Sequence, residues 1–254
     1  MMFNKAIVRK PCKNLIDGLT SANLGEPDYK LALKQHQNYI EALEECGLDV
    51  ILLEADENYP DSTFVEDTAL LTPYCAVITN PGAPSRKGEI KEMYKTLKNH
   101  FLNIYHISAP GTLEAGDVMK AGKHFYIGIS GRTNQNGAYQ LTKILEKYGY
   151  TCSTLSVGDT LHLKSGVSYL EKNNLLSVDN FIGKADFQKL NIIPVDNDES
   201  YAANSLWIND KVLVPYGFPK TKEKIKNEGY TIIEINVSEF RKLDGGLSCL
   251  SLRF

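Results

Sequence analysis

Cys249-Leu250-Ser251-Leu252-Arg253-Phe254 closes the chain, and three other polar clusters precede that cysteine at nearly constant intervals. They are Glu66-Asp67, Glu114 in Leu113-Glu114-Ala115-Gly116-Asp117, and His162 between Leu161 and Leu163. Asp67 to Glu114 is 47 positions, Glu114 to His162 is 48, and His162 to Cys249 is 87, about twice 44, which leaves room for one silent copy. A chain of 254 residues holds about five such units. If each copy turns its equivalent loop toward a common axis, a thiol, an imidazole and several carboxylates meet at one place. Such a meeting supplies a nucleophile, a base and a trap for a cation.

Composition narrows the function classes. With 43% hydrophobic and 23% charged residues the chain reads as a soluble globular enzyme. A net charge of −3 offers no basic stripe, and Lys220, Lys222, Lys224 and Lys226, interrupted by Glu223 and Glu228, read as the solvated face of one helix. Nucleic acid is therefore set aside as a partner. The first residues lack the apolar core of a leader, and no apolar run approaches the roughly 18 residues of a membrane span, so no membrane association and a cytoplasmic location are expected. Cys12, Cys46, Cys75, Cys152 and Cys249 form an odd set without a C-x-x-C pair, which argues against a disulfide framework and against a structural zinc site. Cys46 and Cys75 read as small core hydrophobes.

Short apolar strands alternate with helix-period segments: 75–79, 89–100 and 103–107, then 124–128 before 137–148, then 212–215 before 220–229. Pro81-Gly82, Pro110-Gly111 and Gly217 punctuate them. The pattern predicts an α/β fold built from one repeated unit, in a single continuous domain over 1–254.

Within that frame, Glu66 and Asp67 sit just before the apolar Ala69-Leu70-Leu71. On a strand, neighbours face opposite sides, so one carboxylate can face the axis while the other supports it. In isolation such a pair reads more readily as a helix start or a solvated turn. Asp61 and Asp117 raise the carboxylate density further, and so many acids aimed at one place require a cationic ligand. His162, flanked by leucines, reads as a strand residue pointing away from them. Its register with Glu114 and Cys249 favours chemistry over packing. Gly245 and Gly246 permit close backbone approach beside Cys249, as suits an exposed nucleophile. Neither they nor Gly128-Ile129-Ser130-Gly131 match a dinucleotide or P-loop fingerprint.

Taken together, Phe64-Val65-Glu66-Asp67, Leu113-Glu114-Ala115-Gly116-Asp117, Arg132-Thr133-Asn134 followed by Gly137-Ala138, Leu161-His162-Leu163-Lys164 and Asp244-Gly245-Gly246-Leu247-Ser248-Cys249 resemble the bacterial dimethylarginine dimethylaminohydrolases. Asp17-Gly18-Leu19-Thr20 and Ser200-Tyr201-Ala202-Ala203-Asn204 extend the resemblance over most of the chain. It implies the pentein fold, a five-bladed ββαβ propeller with pseudo-fivefold symmetry. It also implies hydrolysis of free Nω-methylated arginines, asymmetric dimethylarginine and monomethylarginine, to citrulline and dimethylamine or methylamine. By position, Cys249 is implied as nucleophile, His162 as general acid and base, and Glu114 as the group orienting His162. Asp67 is implied to bind the guanidinium, with Asp61, Phe64 and Glu66 near the methylated end. Arg86 and Arg132 are implied to hold the α-carboxylate, and the backbone carbonyls of Leu19, in a lid, and of Leu243 to receive the α-amino group. No metal or organic cofactor is implied, and a homodimer is.

Arginine deiminases and amidinotransferases share that fold but carry an aspartate two residues after the histidine, where this chain has Lys164. That difference favours a methylated guanidine, which has fewer N–H donors to satisfy, and leaves an arginine or agmatine deiminase as the nearest alternative. A cysteine peptidase needs an oxyanion hole rather than a carboxylate cluster. A non-catalytic propeller has no use for the His, Cys and acid set.

Overall fold

Each spacing unit of the sequence corresponds to a small three-stranded sheet, and five such sheets surround one axis in the computed structural model, which describes residues 2–254. In chain order the elements are β1 (Lys5–Arg9), α1 (Tyr29–Glu45), β2 (Asp49–Leu53), β3 (Ala69–Leu71), β4 (Ala76–Ile78), α2 (Ile90–Leu97) and β5 (Ile104–His106). They continue with β6 (Val118–Ala121), β7 (His124–Ile129), α3 (Gln135–Glu146), β8 (Thr151–Ser156), β9 (Val167–Tyr169), β10 (Asn174–Ser177) and β11 (Asn191–Pro194). The last are β12 (Leu206–Ile208), β13 (Lys211–Pro215), α4 (Pro219–Asn227), β14 (Thr231–Ile235), α5 (Ser238–Arg241) and β15 (Leu252–Arg253).

Every sheet has the same wiring. An inner strand pairs antiparallel with a middle strand, which pairs parallel with an outer strand reached by a crossover. The inner strands β3, β6, β9, β12 and β15 all line a central channel, which makes this the pentein propeller. In the remaining blade β1 is the middle strand, and β15 supplies its inner strand by pairing antiparallel with it, so the two ends of the chain close the ring.

Helices form where the sequence provides caps and an apolar stripe. The Asp28 carboxylate accepts from Leu31 N ahead of α1, whose Ala32, Tyr39, Ile40 and Leu43 are buried, and Asn134 accepts from Gly137 N ahead of α3. Pro219 opens α4, where Lys220, Lys222 and Lys224 pair with Asp198, Glu234 and Asp196 as a solvated face should. The β9–β11 blade departs from the expected ββαβ pattern. Two 3-10 turns, Asp179–Phe181 and Ala185–Phe187, replace its helix, with Gly183 between them at φ +81°. Phe181 and Phe187 are both buried and fill the space that a helix face fills elsewhere.

The apolar core is divided among the blades rather than concentrated on the axis. Leu252 joins Ile7, Val65, Ala76 and Ile78 in one of these clusters, so ring closure depends on a side chain beside the site-bearing loop. Leu252→Ala should therefore cost about 2–5 kcal/mol. The check is the urea midpoint at constant m-value; an unchanged midpoint would mean that β15 contributes nothing to the ring.

Candidate active site

Five 3-10 turns, Val65–Thr68, Ala115–Asp117, Leu163–Ser165, Asn197–Ala203 and Ser248–Leu250, lead into the five inner strands and form one end of the axis. Glu66 and Asp67 lie in the first, Glu114 caps the second, His162 caps the third and Cys249 occupies the fifth. The acidic pair thus sits on a turn, as the pair reads in isolation, but a buried turn and not a solvated one. His162 is the extended residue at the N-cap of its turn and not part of a strand as the alternation predicts. A 3-10 turn packs successive side chains closely, so both carboxylates are buried together, each 3% exposed. The fourth turn is the silent copy, and it delivers Asn204. Its amide accepts from Ser248 N at 2.9 Å and donates to Lys164 O at 2.8 Å, tying the cysteine turn to the histidine turn.

Leu19, Asp61, Phe64, Asp67, Arg86, Glu114, Arg132, His162, Leu243 and Cys249 line one cavity. Glu66 is drawn to the other side of the thiol, where it lines a second cavity with Lys164, Ser248, His162 and Cys249. There its carboxylate binds Lys164 Nζ at 2.6 Å, accepts from Ser248 Oγ at 2.7 Å and meets Arg253 Nη2 at 3.3 Å. These same side chains line the inner end of the axial channel and form a polar floor beneath the cysteine.

The histidine is held by acids. Its Nε2 meets Glu114 Oε2 at 2.9 Å, and one ligand-capable atom from each of Asp67, Glu114 and His162 falls within 4.8 Å of the others. Glu114 itself accepts from Ala83 N at 3.1 Å and approaches Arg132 Nη1 at 3.5 Å. Asp117, which adds to the acid count in the sequence, does not face the cavity. It accepts from Leu163 N at 3.0 Å and Ser130 Oγ at 2.7 Å, fastening the turn that carries His162. Gly116 is required by proximity: its N–H donates to Asp67 Oδ1 at 2.9 Å, and a Cβ there would lie 2.8 Å from both that oxygen and His162 Nδ1.

Cys249 is partly exposed and accepts from Gly246 N at 3.4 Å. Its flanks are pinned: Tyr39 Oη bonds Leu247 O at 2.8 Å and Ser251 Oγ at 2.7 Å, and Tyr201 Oη donates to Gly245 O at 2.7 Å. The Gly18–Gly25 loop is fastened over this region by Thr20 Oγ1 to Lys242 O at 2.8 Å and by Ser21 Oγ to Asp244 at 2.9 Å. Leu19 N donates to Asp61 Oδ1 at 3.0 Å.

Burial, then Glu66 and Asp67, push the Cys249 thiol up to about 12. For His162 burial works the other way, but Asp67 and the Glu114 hydrogen bond overcome it and raise the imidazole to about 9. Burial opposes ionisation of Asp67 as well, yet His162 and Arg86 hold its carboxyl well below the usual range. At neutral pH the cavity therefore contains a thiol, an imidazolium and ionised acids. Such a site accepts a flat cation, offers a proton to a departing group and acquires a thiolate when further positive charge arrives.

Sequence reasoning did not single out Glu89 or Asn204. Glu89 follows Arg86 at the i,i+3 spacing of a salt bridge, which is a visible but weak signal. Asn204 lies 42 positions after His162 and 45 before Cys249, at the register of the empty unit.

The family model described as N,N dimethylarginine dimethylhydrolase, eukaryotic, matches residues 25–178. The chain is 52% identical, over the full length of both proteins, to the N(G),N(G)-dimethylarginine dimethylaminohydrolase of Pseudomonas aeruginosa. It is 34% identical to that of Streptomyces coelicolor, covering all of this chain and 98% of the other. A crystal structure of the Pseudomonas aeruginosa enzyme, as a C249S mutant complexed with citrulline, superposes with a TM-score of 0.99 at 51% identity, with both chains covered in full. A dimethylarginine dimethylaminohydrolase H162G adduct with S-methyl-L-thiocitrulline gives 0.98 at 52%, again over both whole chains. The N-terminal domain of ArgZ, at 20% identity and a TM-score of 0.88, covers 98% of this chain and 97% of its own and shares the fold. With the family model matched over more than half of the chain and a curated relative 52% identical over the full length of both, the chain belongs to the dimethylarginine dimethylaminohydrolase family.

Proposed function

We propose that this chain hydrolyses free Nω-methylated arginines to citrulline and methylamine or dimethylamine, through a covalent intermediate on Cys249. The observation that carries the reading is the cavity itself, where Cys249 and His162 meet Asp67 and Glu114. A guanidinium seated between those carboxylates brings its carbon to the sulfur, and its charge lets the thiol lose its proton to solvent and stand as a thiolate. The thiolate attacks that carbon, forming the C–S bond. His162 gives a proton to the methylated nitrogen, the C–N bond breaks, and the amine leaves an S-alkylthiouronium. His162, now neutral, takes a proton from water, whose oxygen adds to the same carbon. The C–S bond then breaks to release citrulline and the thiol.

Arg132, whose side chain is 22% exposed, suits the α-carboxylate. The buried Arg86 guanidinium, taken up by Glu89, Asp67 and Phe64 O, has only one Nη1 hydrogen left to share that role. The carbonyls of Leu19 and Leu243 suit the α-amino group. Asp61, which accepts from Leu19 N and lies beside Leu243, belongs with them and not at the methylated end, which Phe64 closes. The tie between Lys164 and Glu66 supports this reading over a deiminase, because it withdraws one carboxylate from the guanidinium. No step calls for a metal or organic cofactor. The chain acts as one catalytic domain, in the cytoplasm and as a homodimer. Among the described residues, no helix is long and apolar enough to cross a membrane.

The test is citrulline formation from asymmetric dimethylarginine, monomethylarginine, arginine and agmatine in parallel. The methylated substrates should turn over far better than arginine. Agmatine should fail, since it has no carboxylate and each charge-assisted hydrogen bond lost costs about 1.5–3 kcal/mol. Efficient agmatine turnover would mean that the arginines are misassigned.

A further inference from the structure

Arg86 carries more partners than a substrate anchor needs. Glu89, which directly precedes α2, is buried with its side chain 3% exposed. Its carboxylate grips one edge of the Arg86 guanidinium: Nε donates to Oε1 at 3.0 Å and Oε2 at 3.2 Å, and Nη2 donates to Oε2 at 2.8 Å. The other Nη2 hydrogen goes to Phe64 O at 2.8 Å, and Nη1 donates to Asp67 Oδ2 at 2.6 Å. Of the five N–H donors of a guanidinium, only one Nη1 hydrogen is without a partner among the described residues.

A guanidinium held along its Nε and Nη2 edge cannot turn, so the direction of Nη1 is fixed. Asp67 is then set from both sides, by Arg86 on Oδ2 and by Gly116 N–H on Oδ1 at 2.9 Å. Burial pushes the Glu89 carboxyl up to about 7 while Arg86 pulls it down, and in its ionised form it also balances the Arg86 charge. Without it, a half-neutralised buried cation would stand beside the seat of a cationic substrate.

We propose that Glu89 is a positioning residue for the reaction: by gripping Arg86 it fixes Asp67 as the acceptor of the substrate guanidinium, and so acts at the guanidinium end and not at the carboxylate end. The inference rests on the proposed reading in which Asp67 receives the guanidinium.

Three reagents separate the possibilities in the intact protein. A haloacetamidine carries only the cationic end, iodoacetamide is neutral, and dimethylarginine has both ends. Glu89→Gln should slow haloacetamidine inactivation about 10- to 100-fold and lower kcat/KM for dimethylarginine by a similar factor. Iodoacetamide alkylation should stay within about twofold. Arg132→Gln should raise KM for dimethylarginine by a larger factor than it changes the haloacetamidine rate, the reverse of the Glu89→Gln pattern. In an Asp67→Asn background, Glu89→Gln should have no further effect on the haloacetamidine rate. Should Glu89→Gln fail to fold, Glu89→Asp, which keeps the charge and withdraws it by one methylene, is read in the same way. A loss confined to the KM for dimethylarginine, with the haloacetamidine rate intact, overturns the proposal. So does a parallel change with all three reagents. Absence of dimethylarginine turnover by the unmutated protein would remove the functional reading, while the haloacetamidine comparison would still decide the role of Glu89.

Discussion

Cys249→Ser and His162→Gly should each abolish citrulline formation from dimethylarginine, for different reasons that partial reactions can separate. Serine is too weak a nucleophile for a carbon whose positive charge is spread over three nitrogens, so Cys249→Ser should bind substrate and stop before any bond forms. His162→Gly keeps the thiol but loses the proton donor for the amine, a loss of about 10²–10⁴ in rate from general acid catalysis alone. A thiolate leaving group needs no such proton. His162→Gly should therefore still form an adduct with a thiocitrulline and then stall, because no base activates water. Near-normal citrulline production by either variant, measured colorimetrically, would rule out the roles assigned to that residue.

The second large effect concerns the charge on the thiol before substrate arrives. Burial with Glu66 and Asp67 nearby lifts Cys249 to about 12, while His162, at about 9, is already protonated at neutral pH. A thiol at that value is about 10⁻⁵ ionised at pH 7, so the resting protein should be slow to oxidise or to react with neutral alkylating agents. The sign follows from charge. Carboxylates disfavour a second anion, and a bound cation reverses the balance. Ultraviolet titration of the free protein should show no Cys249 thiolate until pH exceeds about 10. The pH midpoint for inactivation by a haloacetamidine should lie at least about 2 units below that for iodoacetamide, each unit corresponding to about 1.4 kcal/mol. A thiol already ionised below neutral pH, with no preference for the charged reagent, would point instead to a standing Cys249–His162 ion pair.

The spacing of Asp67, Glu114, His162 and Cys249 made the ring legible in the sequence, because each blade repeats the same turn ahead of its inner strand. Local conformation at those positions was less legible. Leu161-His162-Leu163 alternates as a strand does, yet His162 is an extended cap residue before a 3-10 turn. Alternation over three residues cannot distinguish the two. Direction was harder still. Glu66 and Asp67 are adjacent in the chain and equally buried, but Lys164, Ser248 and Arg253 pull Glu66 beneath the thiol while Arg86 and Gly116 hold Asp67 in the cavity. Apart from Arg86, which lies between β4 and α2 of the same blade, those partners come from three other blades' loops or strands, and no pattern local to residues 64–68 encodes them. Asn204 and Glu89 carry no catalytic signature at all, since they act on other protein groups.

Quenching the reaction of dimethylarginine in acid during turnover, followed by peptide mass analysis, tests the covalent step most directly. A mass increment equal to citrulline less water should appear on the peptide carrying Cys249 and on none carrying Cys12, Cys46, Cys75 or Cys152, rising to a steady level and vanishing as substrate is exhausted. Steady citrulline production with no adduct on Cys249, or with the adduct on another cysteine, would contradict nucleophilic attack by Cys249 on the guanidinium carbon.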